Sequence, residues 1–144
     1  MIEFGIAIAL LLLASQAFGD DQQRKCAMTI AANWTACTAY VLVSDNYTPW
    51  IWFWAMDVLS AVAVTSLRPA SRARKALAFS YMVQFGIHAG YGLADRGDPL
   101  TYLCLLDYVL VAQMVLIFTW IAADGLLHSD RFRRFRSVHH GAHP

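Results

Sequence analysis

Strongly polar side chains stand inside otherwise apolar stretches of this chain, among them Asp57, Gln84, His88 and Asp107. Each costs free energy in hydrocarbon unless it faces protein or water. At a helical rise of about 1.5 Å per residue, Asp57, His88 and Asp107 all fall roughly 10 Å below one face of a bundle, counted from the ends of their apolar runs. A histidine between two carboxylates can be held as the cation by one while the other, desolvated, keeps its proton. Three titratable groups on one level suit a proton or ion path. The structural alternative is a hydrogen-bonded plug that fixes helix register. One His and two Asp also suit a metal ion, yet nothing in the spacing demands it, and no metal is expected. A haem held by two histidines is excluded, because His88 is the single histidine within an apolar run. No cofactor is expected.

Advancing 100° per residue puts Tyr81, Gln84, His88, Tyr91 and Asp95 on one stripe about 80° wide. Gly86 and Gly90 lie on the opposite side, where the missing side chains let another backbone approach, within this chain or from a second copy. A helix with neighbours on both sides is expected to be central to its bundle or to meet a second copy through the glycines. Thr29, Asn33 and Tyr40 form a second polar stripe.

The elements that must carry these residues follow from the distribution of charge. The 144 residues are 58% hydrophobic and 15% charged, against about a quarter charged for a soluble domain. That composition excludes a disordered chain, and three cysteines exclude a disulfide-stapled module. Runs with little or no charge cover 4–19, 26–44, 50–67, 76–94 and 100–123, each able to cross most of a ~30 Å hydrocarbon core. The expected fold is an all-α, polytopic membrane bundle of five transmembrane helices over 1–124, followed by a basic cytoplasmic tail, 125–144. Cys26, Cys37 and Cys104 are scattered and read as packing residues.

Basic residues set the orientation. Arg96 lies on one side of the five spans. Arg24, Lys25, Arg68, Arg72, Arg74, Lys75, Arg131, Arg133, Arg134 and Arg136 lie on the other. The N-terminus is therefore expected outside and the C-terminus in the cytoplasm. Ser15, Gln16 and Ala17 look like a signal cleavage site, but the leader carries Glu3 and no Lys or Arg. Removing span one would also put the 68–75 cluster outside, so retention is expected.

The loops 45–49 and 95–99 are rich in turn formers and end in proline, which suits the first turn of a following helix. Trp50, Trp52 and Trp54, with Tyr47, Tyr91 and Tyr102, are placed as interfacial anchors at headgroup level. In the tail, Arg131, Arg133, Arg134 and Arg136 interleave with Phe132 and Phe135, a pattern that pairs cations with anionic lipid headgroups while rings dip into the interface. Nucleic acid is the less favoured partner of that patch. No glycine-rich phosphate loop, Cys-x-x-Cys pair or nucleophile elbow occurs, so no enzymatic activity is expected.

Asn33 and Trp34, Thr48, Pro49 and Trp50 with Trp52, Phe53 and Asp57, then Tyr81, Gln84, His88, Tyr91 and Gly92, resemble small multi-span membrane proteins of tailed bacteriophages and prophages that are described as holins. The resemblance covers spans two to four, about half of the chain. It implies a protein that collects in the host inner membrane, oligomerises and opens lesions. Two alternatives come from other classes: a small ion- or proton-linked carrier using the intramembrane Asp and His, and a membrane adaptor acting through its basic tail.

Overall fold

Among the described residues, a computed structural model of the chain contains five helices: α1 (Ile2–Phe18), α2 (Asp21–Ser44), α3 (Trp50–Ser66), α4 (Arg72–Leu93) and α5 (Pro99–His140). It describes the backbone of residues 2–44, 50–69, 71–94 and 98–140, and side chains within 3–44, 51–69, 71–94, 98 and 100–126. Among the described residues there is no strand. The helices fall on the five apolar runs, with α2 and α4 reaching further back into charged sequence than those runs.

Local capping chemistry explains those starts. Asp20 Oδ1 accepts from the Gln23 amide at 2.7 Å, and Gln23 Oε1 accepts from the Asp20 amide at 2.8 Å. This reciprocal pair satisfies two otherwise orphaned donors and starts α2 ahead of its apolar run. Ser71 caps α4, its hydroxyl accepting from the Arg74 amide at 3.2 Å. Pro99 opens α5 as expected, and Asp98 caps it by accepting from the amides of Leu100 and Thr101 and from the Thr101 hydroxyl.

Those bonds, led by the one from the Thr101 hydroxyl, hold the Asp98 carboxyl below its ordinary value. A depressed carboxyl contributes stability that is complete above its unfolded pKa, about 4, and is lost as pH falls through the lower folded value. Protection of the Leu100 and Thr101 amides from hydrogen exchange is thus expected to be flat from neutral pH to about pH 5 and to drop below that. Asp98→Ala is expected to remove the pH dependence together with the protection.

Consecutive helices pack on one another, most extensively α3 on α4, and α1 closes the set against α5, with α2 meeting α5 across the middle. The two helices with most neighbours are therefore α2 and α5. Of the two expectations for α4 this corrects the central place: the helix packs on α3 and α5 and lies at the periphery. Its glycine side is open: a Cβ at Gly86 or Gly90 would meet nothing within 4 Å, so the glycines are not a close-packing seam within the chain. Gly86→Ala is expected to be tolerated and to stabilise α4 by about 0.5–1 kcal/mol. Gly19, in the α1–α2 turn, is the opposite case, because a Cβ there would stand 2.6 Å from the Ser15 carbonyl oxygen. Gly19→Ala is expected to cost about 1–3 kcal/mol by backbone displacement; thermal melts of both variants in detergent check the pair.

Polarity is divided along the bundle. The half containing the α1–α2 turn and the α3–α4 connection is filled by Leu11, Cys26, Val64, Leu77, Ile117 and Ile121, all buried. Its rim is tied by Gln22 Nε2 and Arg74 Nη1, which both donate to the Pro69 carbonyl at 2.9 Å, and by Gln23 Nε2 donating to Asp124 Oδ2 at 2.7 Å. The other half holds the polar side chains described below.

Two helices, Asp21–Ser44 and Leu100–Leu126, are long and apolar enough to cross a bilayer, while Glu3–Phe18 and Ile51–Ser66 are apolar but shorter. Large apolar side chains cover the outside of the bundle, among them Leu13, Leu42, Leu59, Phe79, Leu103 and Val115. The α5 backbone continues as helix to His140, across the expected boundary between membrane domain and tail at 124/125. The side chains of Arg131, Arg133, Arg134 and Arg136, like that of Trp50, lie outside the described residues, as do loop residues 45–49.

Candidate functional site

Each helix but α1 contributes one or two residues to a buried polar chain. On α3, Phe53, Asp57, Ser60 and Val64 follow one another at spacings of four, three and four, and all are buried; that spacing keeps them on one helix face. On α4, Ser80, Gln84 and His88 are four apart. Tyr102 and Gln113 on α5 are eleven apart, which at 100° per residue returns within about 20° of the same direction. Asn33 comes from the buried face of α2.

Asp57 is 1% exposed and His88 2%. His88 Nε2 stands 3.2 Å from Asp57 Oδ2, at an angle that makes the contact electrostatic rather than an aligned hydrogen bond. The other imidazole nitrogen, Nδ1, is 2.7 Å from the Tyr102 hydroxyl. Asn33 Nδ2 donates to Asp57 Oδ1 at 3.3 Å and to Ser60 Oγ at 2.9 Å. A continuous path Ser60–Asn33–Asp57–His88–Tyr102 thus joins four helices, and Tyr91 stacks on Tyr102 with ring centroids 4.1 Å apart. Phe53 tilts against the His88 ring at 5.2 Å. The Tyr81 hydroxyl is buried on the same α4 stripe without an aligned hydrogen bond.

Next to this path lies a cavity of about 390 Å³ between α2 and α5, lined by residues of all five helices. Asn33, Gln84, His88, Tyr102 and Gln113 bring polar atoms to its wall, and Trp34, Phe53, Leu106 and Leu110 supply apolar surface. Gln113 Nε2 donates to Ser80 Oγ at 3.1 Å and to Gln84 Oε1 at 3.2 Å.

Asp57 and His88 meet, as the depth count expects, and Gln84 sits one turn further along their stripe. Asp107 does not join them. Its side chain is exposed and makes no hydrogen bond or ion pair with a described residue, although it lines the cavity. The reason is azimuth: five residues separate it from Tyr102, a rotation of about 140°, so when Tyr102 faces His88 the aspartate faces elsewhere. The second stripe also divides. Asn33 turns to Asp57, whereas the Thr29 hydroxyl bonds the Lys25 carbonyl at 2.9 Å and Tyr40 stacks on Trp52 with centroids 5.3 Å apart. Trp54 stacks on Phe85 at the same separation, so two of the expected anchors also hold helices together. Tyr102, placed in sequence as an anchor, is instead the buried partner of His88. Ser60 and Gln113 join the site from outside both expected polar stripes, though their spacings from Asp57 and Tyr102 carry the signal. Among the described residues no three His, Cys, Asp or Glu side chains converge as a metal site would need.

Compared with known proteins, the chain matches no family model, no curated protein and no solved structure.

Proposed function

We propose that this chain is a five-span protein of a bacterial inner membrane, N-terminus outside and C-terminus in the cytoplasm, that works as a small proton-linked carrier. The observation that carries the reading is the buried Asp57–His88 pair beside a cavity. A carboxylate and an imidazole in contact share one proton as a net-neutral unit, so the charge that appears when the pair loses or gains a proton is one that a charged solute can offset, and the cavity gives a solute a place where its binding is sensed by that pair. The apolar skin of the bundle and its buried polar chain support a lipid setting, since exposed leucine and phenylalanine cost nothing in hydrocarbon. The packed half, from Leu11 to Ile121, acts in this reading as the closed gate, with the cavity half facing outward. The ten basic residues on one side of the spans support the orientation, and those of the tail fit anionic headgroups.

The test uses the purified chain in vesicles loaded with a pH-reporting dye, with choline chloride as the probe solute. An imposed pH gradient is expected to relax faster with the protein and the probe together than with either alone. Relaxation at the rate of empty vesicles would count against the carrier.

One observation favours a second reading, a holin-like oligomer. The open Gly86 and Gly90 face offers a place for a second copy, and the polar groups of Asn33, Asp57, Gln84 and His88 are hidden inside one chain, from which re-pairing between copies would line a lesion. This reading expects induced expression to collapse the membrane potential abruptly after a delay, and Gly86→Leu to delay or abolish the collapse. Steady growth with an intact potential at high expression rules it out. The adaptor reading is tested by truncation after Asp124, which a carrier should survive.

A further inference from the structure

The cavity wall has a sign. Among the described residues no lysine or arginine lines it, and the Asp57–His88 pair is matched within itself, which leaves Asp107 as the carboxylate without a bonded partner. Aromatic surface stands in the same cavity: Phe4 from α1, Trp34 from α2, Phe53 from α3 and Tyr102 from α5. Ring faces attract cations, most strongly when water is excluded, and a carboxylate in an apolar span needs a positive partner. At about 390 Å³, the space lies in the range that small organic ligands fill.

We propose that the cavity binds an organic cation, a protonated or quaternary amine with an apolar body, its charge at Asp107 and its body against Trp34 and Phe53. This names the solute of the carrier reading and rests on it for transport, but not for binding. An anion finds on the wall only the His88 ring, which Asp57 already matches, and a neutral apolar molecule leaves Asp107 unmatched.

The experiment is calorimetric titration of the full-length protein in detergent with benzyltrimethylammonium and with neopentylbenzene, its uncharged isostere. The cation is expected to bind at least about tenfold more tightly than the isostere. Asp107→Asn should remove that preference without moving the thermal midpoint, since the side chain is exposed, and Asp107→Glu should keep it. Trp34→Leu should weaken both ligands several-fold. Equal affinity for the two ligands, or an unchanged preference in Asp107→Asn, overturns the proposal, as does tighter binding of benzenesulfonate. Cation binding without proton exchange in vesicles keeps this site and removes the carrier; choline-dependent proton exchange that is unchanged in Asp107→Asn keeps the carrier and removes this site.

Discussion

Proton-linked flux is expected to fall to the level of empty vesicles in Asp57→Asn, in a protein that still folds. The hydrogen bonds explain why the two effects separate. Asparagine keeps an oxygen where Asn33 Nδ2 donates to Oδ1 at 3.3 Å, and its amide can donate across the 3.2 Å gap to His88 Nε2. His88 is then the neutral tautomer with its proton on Nδ1, donating to the Tyr102 hydroxyl 2.7 Å away. Every contact has a partner, and the imidazole loses the carboxylate with which it shares a proton. The check is dye-reported proton movement in vesicles alongside size-exclusion behaviour and melting of the variant. Wild-type flux in Asp57→Asn would falsify the carrier.

The second large effect is on stability. His88→Ala is expected to cost about 3–5 kcal/mol, because it strands a buried carboxylate with no opposite charge, and it removes the partner of Tyr102 as well. Asp57→Asn combined with His88→Gln should recover most of that loss, since two amides can bond each other and neither is charged. The measurement is thermal or denaturant unfolding, in a fixed detergent, of His88→Ala, of the two amide single variants and of their combination. Equal losses in His88→Ala and in the double variant would mean that the ring's packing against Phe53 outweighs the charge pair.

Asp57 and His88 could be brought together from sequence because each interrupts an apolar run at a countable depth. Depth is one coordinate of two. Asp107 has the depth and the wrong azimuth, and a single sequence does not state how far α5 is turned until Tyr102 is known to face His88. Once that residue is fixed, Gln113 follows by its spacing. Tyr102 itself was hidden by its place three residues into a helix, where an interfacial ring and a buried hydroxyl partner have the same sequence context. The helix starts show a related limit. Apolar runs mark the part of a helix that avoids water, whereas α2 and α4 begin earlier, at the Asp20 and Ser71 caps, in sequence that hydropathy reads as loop.

The division of the bundle into a cavity half and a packed half also has an electrical consequence. In the proposed orientation, a wetted cavity carries the external potential inward to the level of His88, and the voltage across the membrane then falls mainly over the layer around Val64, Leu77 and Ile117. A thinner insulator under the same voltage holds a stronger field. A proton leaving the Asp57–His88 pair for the cytoplasm crosses most of that drop, worth up to about 2.3 kcal/mol per 100 mV, whereas one arriving from outside crosses little of it. Loading would then be governed by external acidity and unloading by voltage.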